Sequence, residues 1–534
     1  MNAQPNFLFF ITDQHRADHL GAYGNREVRT PHLDRLAARS WLAERCYVAS
    51  PVCMPNRATL LTGRWPSAHG VRHNGIALSL RTRTFLDQLR DAGYRTALAG
   101  KGHLQNMTGK AAVWPAAGAP AFRPAAMRED AGRYDQEWAP AWQASAAHEM
   151  ALPYYGFDDV ALAIDHGDTA GGHYRRWLER EHPGVAARVG REHALPSPGY
   201  VLADAGQAWR TQAPEECHPS AWIADQTMRM LDGYARGDKP FFLQCSFPDP
   251  HHPFTPPGRY WDMYAPEDVR LPASFDVAGR ALPPHVAWLH AERERGAAVK
   301  HTPALFACTE REAREAIALN YGSISFIDAM IGKVLAHLQT LGLADNTVVV
   351  FSSDHGDYMG DHQLLWKGPI HYQSIIRVPF LWHDPQAGGD GARSQALCSS
   401  ADLAPTVLER AGVAPFNGIQ GASLLPLIDA AHEPAGAAPD NWRDAVLIEE
   451  EAQRQLFGFA ARPRVRTLQT GRFRLSLYDG QTWGELYDLA EDPHELRNLW
   501  SEPAYAQHKA EAMERLGRTM LALSDTSPYP TAIA

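Results

Sequence analysis

Apolar residues along this chain fall in two rhythms. Several short runs are apolar at nearly every position and stop abruptly at polar residues. Residues 6–11 run into Thr12-Asp13-Gln14, 95–99 into Gly100-Lys101-Gly102-His103, 240–247 into Pro248-Asp249-Pro250-His251, and 346–353 into Asp354-His355-Gly356-Asp357. Runs without alternation predict strands buried on both faces, as in a parallel sheet covered by helices. Residues 377–382 predict one more short strand. The other rhythm, with apolar residues three and four apart, predicts helices over 30–39, 84–92, 220–234, 310–341 (with room for one break) and 403–411. The fold class is therefore α/β, with a central, mainly parallel sheet.

Two stretches depart from this pattern. Residues 105–215 are rich in Pro, Trp, Gly and Ala and have poor periodicity, which predicts a long insertion over one face of the sheet. Its Trp114, Trp138 and Trp142 are candidates for a pocket wall or for packing within the insertion. A Pro/Ala/Gly-rich stretch at 433–440 predicts a linker. After it, strands are predicted over 445–449, 465–470, 473–478 and 485–488, with a helix over 504–523. The expected division is a catalytic domain over 1–435 and an α+β subdomain, antiparallel sheet plus helix, over 436–534.

Composition narrows the function. A chain of 534 residues can bury large cores. Its net charge of −10 argues against a general nucleic-acid surface. No apolar run approaches the roughly 18–20 residues of a membrane span, and the N-terminal residues lack a basic region and cleavage site, so a cytoplasmic protein is expected. The six cysteines are scattered and read as reduced thiols.

A parallel sheet brings its strand ends to one edge. Asp13, Gln14, Asp354 and His355 would there offer oxygen ligands plus one imidazole, a set favouring Ca²⁺, Mg²⁺ or Mn²⁺ over Zn²⁺. Lys101, Lys367 and Arg57 would hold an anionic ester and neutralise developing charge. His251 could protonate a departing oxygen, and His103 could take a proton from a nucleophile. Each residue taken singly also has a structural reading: surface lysines, a rigid Pro-His loop, a capped helix start.

The stretch Cys53-Met54-Pro55-Asn56-Arg57, closed by Thr62-Gly63, reads as a loop feeding a helix. Cys53 would sit at the positive end of the helix dipole, a setting that lowers a thiol pKa and attracts anions. This stretch resembles the Cys-x-Pro-x-Arg signature of the type I, formylglycine-dependent sulfatases. Gly93-Tyr94-Arg95-Thr96, Gly100-Lys101-Gly102-His103, Pro250-His251-His252-Pro253-Phe254, Ser353-Asp354-His355-Gly356, Lys367 and the C-terminal Leu486-Tyr487-Asp488-Leu489 extend the resemblance over nearly the whole chain outside 105–215.

The resemblance implies the alkaline-phosphatase-like fold and hydrolysis of aryl or alkyl sulfates. It implies Cys53 converted to Cα-formylglycine by a separate generating enzyme, and one divalent metal, Ca²⁺ first, with Cys53 among its ligands. It also implies a homo-oligomer, dimer or tetramer. One departure matters. Asp13-Gln14 stands where many sulfatases have Asp-Asp, and with Asn74 as a substrate contact it is similar to the phosphonate monoester hydrolases, leaving a phosphonate monoester hydrolase or phosphodiesterase as the alternative. The Lys101/His103 pair, which that group lacks, favours a sulfatase. A non-catalytic anion-binding protein is the third reading.

Overall fold

The computed structural model describes residues 4–113, 122–128, 130–387, 391–431 and 438–533. Trp114 and most of the predicted linker lie outside the described residues.

The first apolar run forms β1 (Asn6–Thr12), buried along its whole length. In chain order there follow β2 (Trp41–Ala43), α1 (Cys53–Thr62), β3 (Arg95–Gly100), β4 (Asp159–Ile164), β5 (Gly171–Gly172), α2 (Pro219–Tyr234), β6 (Phe241–Ser246), α3 (Glu310–Thr340), β7 (Thr347–Ser353), β8 (Phe380–His383) and β9 (Arg393–Ser394). These strands make one sheet in the order β9-β2-β8-β7-β1-β6-β3-β4-β5. The five strands β7-β1-β6-β3-β4 are parallel, and antiparallel pairing begins at β8 and at β5.

Successive side chains of β1 point to opposite faces. Leu8 and Phe10 join a core with Ile223 of α2 and Ile324 and Ile331 of α3. Phe7, Phe9 and Ile11 join a second core with Met54, Ala58 and Leu61 of α1. Each such side chain contributes roughly 1.5–3 kcal/mol by leaving water, so β1 is anchored on both sides. Helix α3 is unbroken over 31 residues and starts in a Thr309/Glu312 capping box; the break allowed by the sequence does not occur.

Two expectations change here. The 377–382 strand divides at Pro379, which cannot donate a ladder hydrogen bond. Arg377 and Val378 pair with Tyr47 and Cys46 in a small separate sheet, while Phe380 starts β8. The irregular insertion also contains β4, which extends the main sheet next to β3.

The C-terminal strands β10 (Ala445–Glu451), β11 (Arg464–Thr470), β12 (Phe473–Tyr478) and β13 (Gly484–Asp488) form an antiparallel meander. Helix α4 (Ala506–Ala522) closes it by packing Ala512 and Leu516 on Leu447, Leu468 and Leu475. β10 is tied to the segments flanking α1: Glu449 N–H donates to the Ala49 carbonyl at 2.8 Å, and Trp65 Nε1 to that of Leu447 at 2.8 Å. All six cysteines are buried free thiols, as their spacing predicts.

Candidate active site

Helix α1 begins at Cys53 itself, and Gly63 ends it in the left-handed region at φ 64°. Every residue of α1 is buried, so its first turn is fixed by internal contacts. The Met54 N–H donates to Asn74 Oδ1 at 3.0 Å, which satisfies one of the orphan donors of the first turn. Asn56 Nδ2 donates to the Asp354 carbonyl at 2.6 Å, and Asn56 Oδ1 accepts from Ser400 Oγ at 2.6 Å.

The strand ends converge on this turn. Asp13 follows β1, and its Oδ1 lies 3.7 Å from Cys53 Sγ. Arg57, one turn into α1, donates through Nε to Asp354 Oδ2 at 2.8 Å and through Nη2 to Asp13 Oδ2 at 3.2 Å. Lys101, following β3, places Nζ 2.5 Å from Asp13 Oδ2. Burial alone would raise the Asp13 pKa, yet Lys101, His166, His251 and Arg57 together hold it well below the carboxylate range. Asp13 is therefore a carboxylate at all working pH.

Lys367 Nζ sits at the centre of the other side. It lies 3.1 Å from Cys53 Sγ, 2.8 Å from Gln14 Oε1, 2.9 Å from His251 Nε2 and 3.1 Å from His355 Nε2. An ammonium has three protons for these four neighbours, and what the His251 and His355 Nε2 atoms can offer it is a lone pair. His251 Nδ1 donates to the His252 carbonyl and His355 Nδ1 to that of Gly356, which fixes both tautomers. Burial, aided for His251 by the charges of His166 and Lys367, pushes both imidazoles below the ordinary histidine pKa.

Gln14 uses both ends of its amide. Oε1 faces Lys367, while Nε2 donates to Asp357 Oδ2 and lies 3.3 Å from His252 Nδ1. His103 has its backbone N–H on Glu137, and its buried Nδ1 has no partner among the described residues. Its pKa is held well below the ordinary value, first by burial, then by Lys101 and Arg57. It makes no hydrogen bond to Cys53 among the described residues, whereas Lys367 and His355 do.

One expectation fails outright. The Cys53 thiol is not acidified: burial and then the Asp13 charge raise its pKa, and Lys367 and Lys101 offset this only partly. Desolvation outweighs a helix dipole because the dipole supplies only about half a charge.

His166 was not foreseen. It follows β4, accepts from Lys101 Nζ at 2.6 Å through Nε2 and donates through Nδ1 to Asp165 at 2.9 Å. Asp13 and Asp165 raise its pKa against burial and the Lys101 charge, but the contact with the Lys101 ammonium requires the neutral Nδ1–H form. A signal existed: Asp165-His166-Gly167-Asp168 repeats Asp354-His355-Gly356-Asp357.

The donor set tests for a metal. One oxygen or nitrogen each from Asp13, Asp354 and His355 and the Cys53 sulfur lie within 4.8 Å of one another, all buried. Two carboxylates balance a divalent charge, and Gln14 Oε1 faces the same space, sharing Lys367 Nζ with Cys53 and His355. The residues present fit a hard divalent cation. Asn74 engages its carbonyl oxygen with the Met54 N–H, so it supports the first turn of α1.

The sequence profile described as Sulfatase matches residues 5–413, and that of the N-sulphoglucosamine sulphohydrolase C-terminal region matches 360–521. An arylsulfatase of Clostridium perfringens is 30% identical over 512 residues, covering 94% of this chain and 92% of the relative. A multifunctional alkaline phosphatase superfamily protein of Trinickia caryophylli is 29% identical, covering 94% of this chain and 92% of its own length. Among solved structures, a phosphonate monoester hydrolase of Agrobacterium radiobacter superposes with a TM-score of 0.75 at 27% identity, covering 98% of this chain and 97% of that one.

Proposed function

The chain belongs to the sulfatase family, and from that premise we propose that it hydrolyses sulfate monoesters of aryl or alkyl alcohols with residue 53 as nucleophile. The observation that carries this reading is the convergence of five distant segments on one sulfur: Asp13, Lys101, His251, Asp354-His355 and Lys367 all lie in one hydrogen-bonded group with Cys53.

Two further groups complete the proposal. Cys53 matured to formylglycine by a dedicated enzyme would supply a hydrated aldehyde, with one hydroxyl to attack sulfur and a second to expel sulfate. A divalent cation, Ca²⁺ by the oxygen-rich set, held by Asp13, Gln14, Asp354, His355 and residue 53, would acidify the attacking hydroxyl.

The chain's own side chains do the rest. Lys101 and Lys367 flank residue 53 with fixed ammonium groups and hold the ester oxygens, where they stabilise charge developing in the transition state. Arg57, locked between the two carboxylates, sets their orientation. The leaving oxygen takes its proton from the Lys367–His251 pair: Lys367 carries it, and His251 Nε2 at 2.9 Å supplies a route for its replacement. His103, neutral by burial, is the acceptor proposed for the second step.

The resemblance to a phosphonate monoester hydrolase, together with Gln14 and Asn74, supports phosphonate or phosphodiester hydrolysis as a second activity. We also place the protein in a reducing, cytoplasmic setting, where six free thiols are stable, and take it to be a homo-oligomer, dimer or tetramer. The domain boundary near 435 stays part of this reading, although the second profile match crosses it.

Two measurements test the core. Mass analysis of the peptide containing residue 53 must find the aldehyde in active enzyme; thiol alone ends the maturation step. Initial rates on matched aryl sulfate, phosphate and phosphonate esters must favour sulfate; preference for phosphonate would transfer the assignment to the second reading.

A further inference from the structure

A cavity of about 370 Å³, apart from the catalytic group, lies between the loops of the main sheet and the C-terminal segment 489–495. None of Asp13, Cys53, Lys101, His251 or Asp354 lines it. Its volume is that of a small-molecule site.

Three guanidiniums and three carboxylates line it, and they are not all paired with one another. Arg16 is taken up by Asp18 and Asp361, at 2.7 Å each. Glu495 is held by Arg474 and by the Gln373 N–H at 2.7 Å. Two lining guanidiniums remain. Arg45 makes no side-chain hydrogen bond or ion pair among the described residues, and Arg377 makes a single long bond, 3.4 Å from Nη1 to the Glu44 carbonyl. The hydroxyl of Ser374, a residue that also lines the cavity and is 8% exposed, has no hydrogen-bond partner among the described residues.

We propose that this cavity is a second binding site for a tetrahedral oxyanion, inorganic sulfate or phosphate or the charged end of a small ester. Two guanidiniums outside any ion pair among the described residues present forked donors that match such an anion, and the Ser374 hydroxyl adds a donor where burial makes an unmade hydrogen bond costly. The assignment stands on the cavity alone and does not need the catalytic reading. The two sites share a wall: a Cβ added at Gly356 would come 1.9 Å from the Ser374 carbonyl, and Arg16 donates to the Tyr358 carbonyl at 2.6 Å. The segment carrying Asp354 and His355 thus separates the cavity from the nucleophile.

The test is calorimetric titration of the full chain with sodium sulfate, and separately with sodium phosphate, at matched ionic strength. The wild type and a Lys101→Ala variant are compared with Arg45→Gln/Arg377→Gln. The expected result is an anion-binding event in the wild type that survives in Lys101→Ala and weakens about tenfold or more in the double variant. Turnover of an aryl ester in anion-free buffer is expected to be unchanged in that variant. Binding that is identical in wild type and double variant, or lost only in Lys101→Ala, or absent from the wild type, overturns the proposal. Should the double variant unfold, the single changes Arg45→Gln and Arg377→Gln, each confirmed folded by circular dichroism, carry the same comparison. Sulfate and phosphate arms that differ in affinity identify which oxyanion the cavity prefers.

Discussion

The imidazole of His166 lies flat on that of His251, with ring centroids 3.7 Å apart and planes 14° apart. His252 stacks on His251 from 4.3 Å, and Trp366 on His252 from 3.9 Å. The pile fixes His251 in the plane that aims its Nε2 at Lys367. Since Asp165 in turn holds His166, the orientation of the His251–Lys367 pair is set from the end of β4.

Replacing His166 by Ala should therefore reduce kcat by roughly 100-fold, the usual cost of about 1 Å of misplacement at a reacting group. His166 also orients Lys101, so KM for an anionic ester should rise. The side chain is nine-tenths buried, so its loss should also lower the thermal midpoint, and the kinetic comparison is made at a temperature where the variant is folded. Wild-type kinetics in folded His166→Ala would show that the stack is packing alone.

Chelation provides a second test. Arg57, Lys101 and Lys367 already neutralise Asp13 and Asp354, so the folded chain does not need the cation to keep its carboxylates apart. A chelator should abolish turnover and leave the far-UV circular dichroism spectrum unchanged. Ca²⁺ at about 100 times its Kd should restore activity and add about 2.7 kcal/mol of stability. Full activity in chelator, with no metal found by elemental analysis, would contradict the metal assignment.

How legible was this site beforehand? The four strand-end motifs were visible because each follows an unbroken apolar run. The sheet topology then brings them together without further information. β4 was hidden because Asp159-Val160-Ala161-Leu162-Ala163-Ile164 is alanine-rich and sits in a stretch with no periodicity around it; with it went His166. The acidified thiol was wrong for a different reason. Sequence reveals a helix start and a nearby arginine, but not that Cys53 is only 1% exposed or that Asp13 points at it. Asn74 was noticed by resemblance, while its bond to Met54 N–H depends on a fold that brings residues 20 apart back together.

That bond leads to a third prediction. Asn74→Ala removes a side-chain acceptor from the first turn of α1 and should cost about 1 kcal/mol in a urea titration. It should also lower kcat, since residue 53 is the first residue of that turn. Asn74→Asp keeps the acceptor and should restore most of the stability. If Asp rescues neither quantity, the amide contacts substrate directly and does not support the turn.

Acid sensitivity follows from the buried histidines. Burial lowers His69 to about 3 and His19, His285 and His362 to about 4. A histidine whose folded pKa is depressed stabilises the fold above its unfolded pKa of about 6.5, and that contribution disappears as pH falls toward the folded value. Asp328 and Glu495, raised by burial to about 7, act in the opposite sense over the same range, as does Asp357 at about 6. Four histidines outweigh three carboxyls, so the urea midpoint should fall between pH 6.5 and pH 4.5. A midpoint that rises over this interval would mean that the carboxyls dominate.

Gln14 is where this chain departs from the Asp-Asp pair of many sulfatases, and the reason lies one layer deeper. Its Nε2 donates to Asp357 Oδ2, and Asp357 Oδ1 accepts the N–H groups of Met359 at 2.9 Å and Trp366 at 3.1 Å. Asp357 is fully buried, and burial raises its pKa to about 6 against the Gln14 hydrogen bond. An aspartate at position 14 would withdraw that donor and set a second carboxylate beside the first. Gln14→Asp should therefore cost roughly 1–3 kcal/mol near pH 8. The sign of the pH dependence is definite. An acid with a raised folded pKa favours the fold below its unfolded pKa of about 3.9, and that preference is lost as pH rises through about 6. The deficit should therefore be greatest at pH 8 and shrink toward pH 5, where Asp357 holds a proton it can donate. Adding Asp357→Asn restores a donor opposite the new carboxylate and should recover most of the loss at pH 8. A deficit that is equal at both pH values and unchanged by Asp357→Asn would mean that Gln14 is required for something other than its partner.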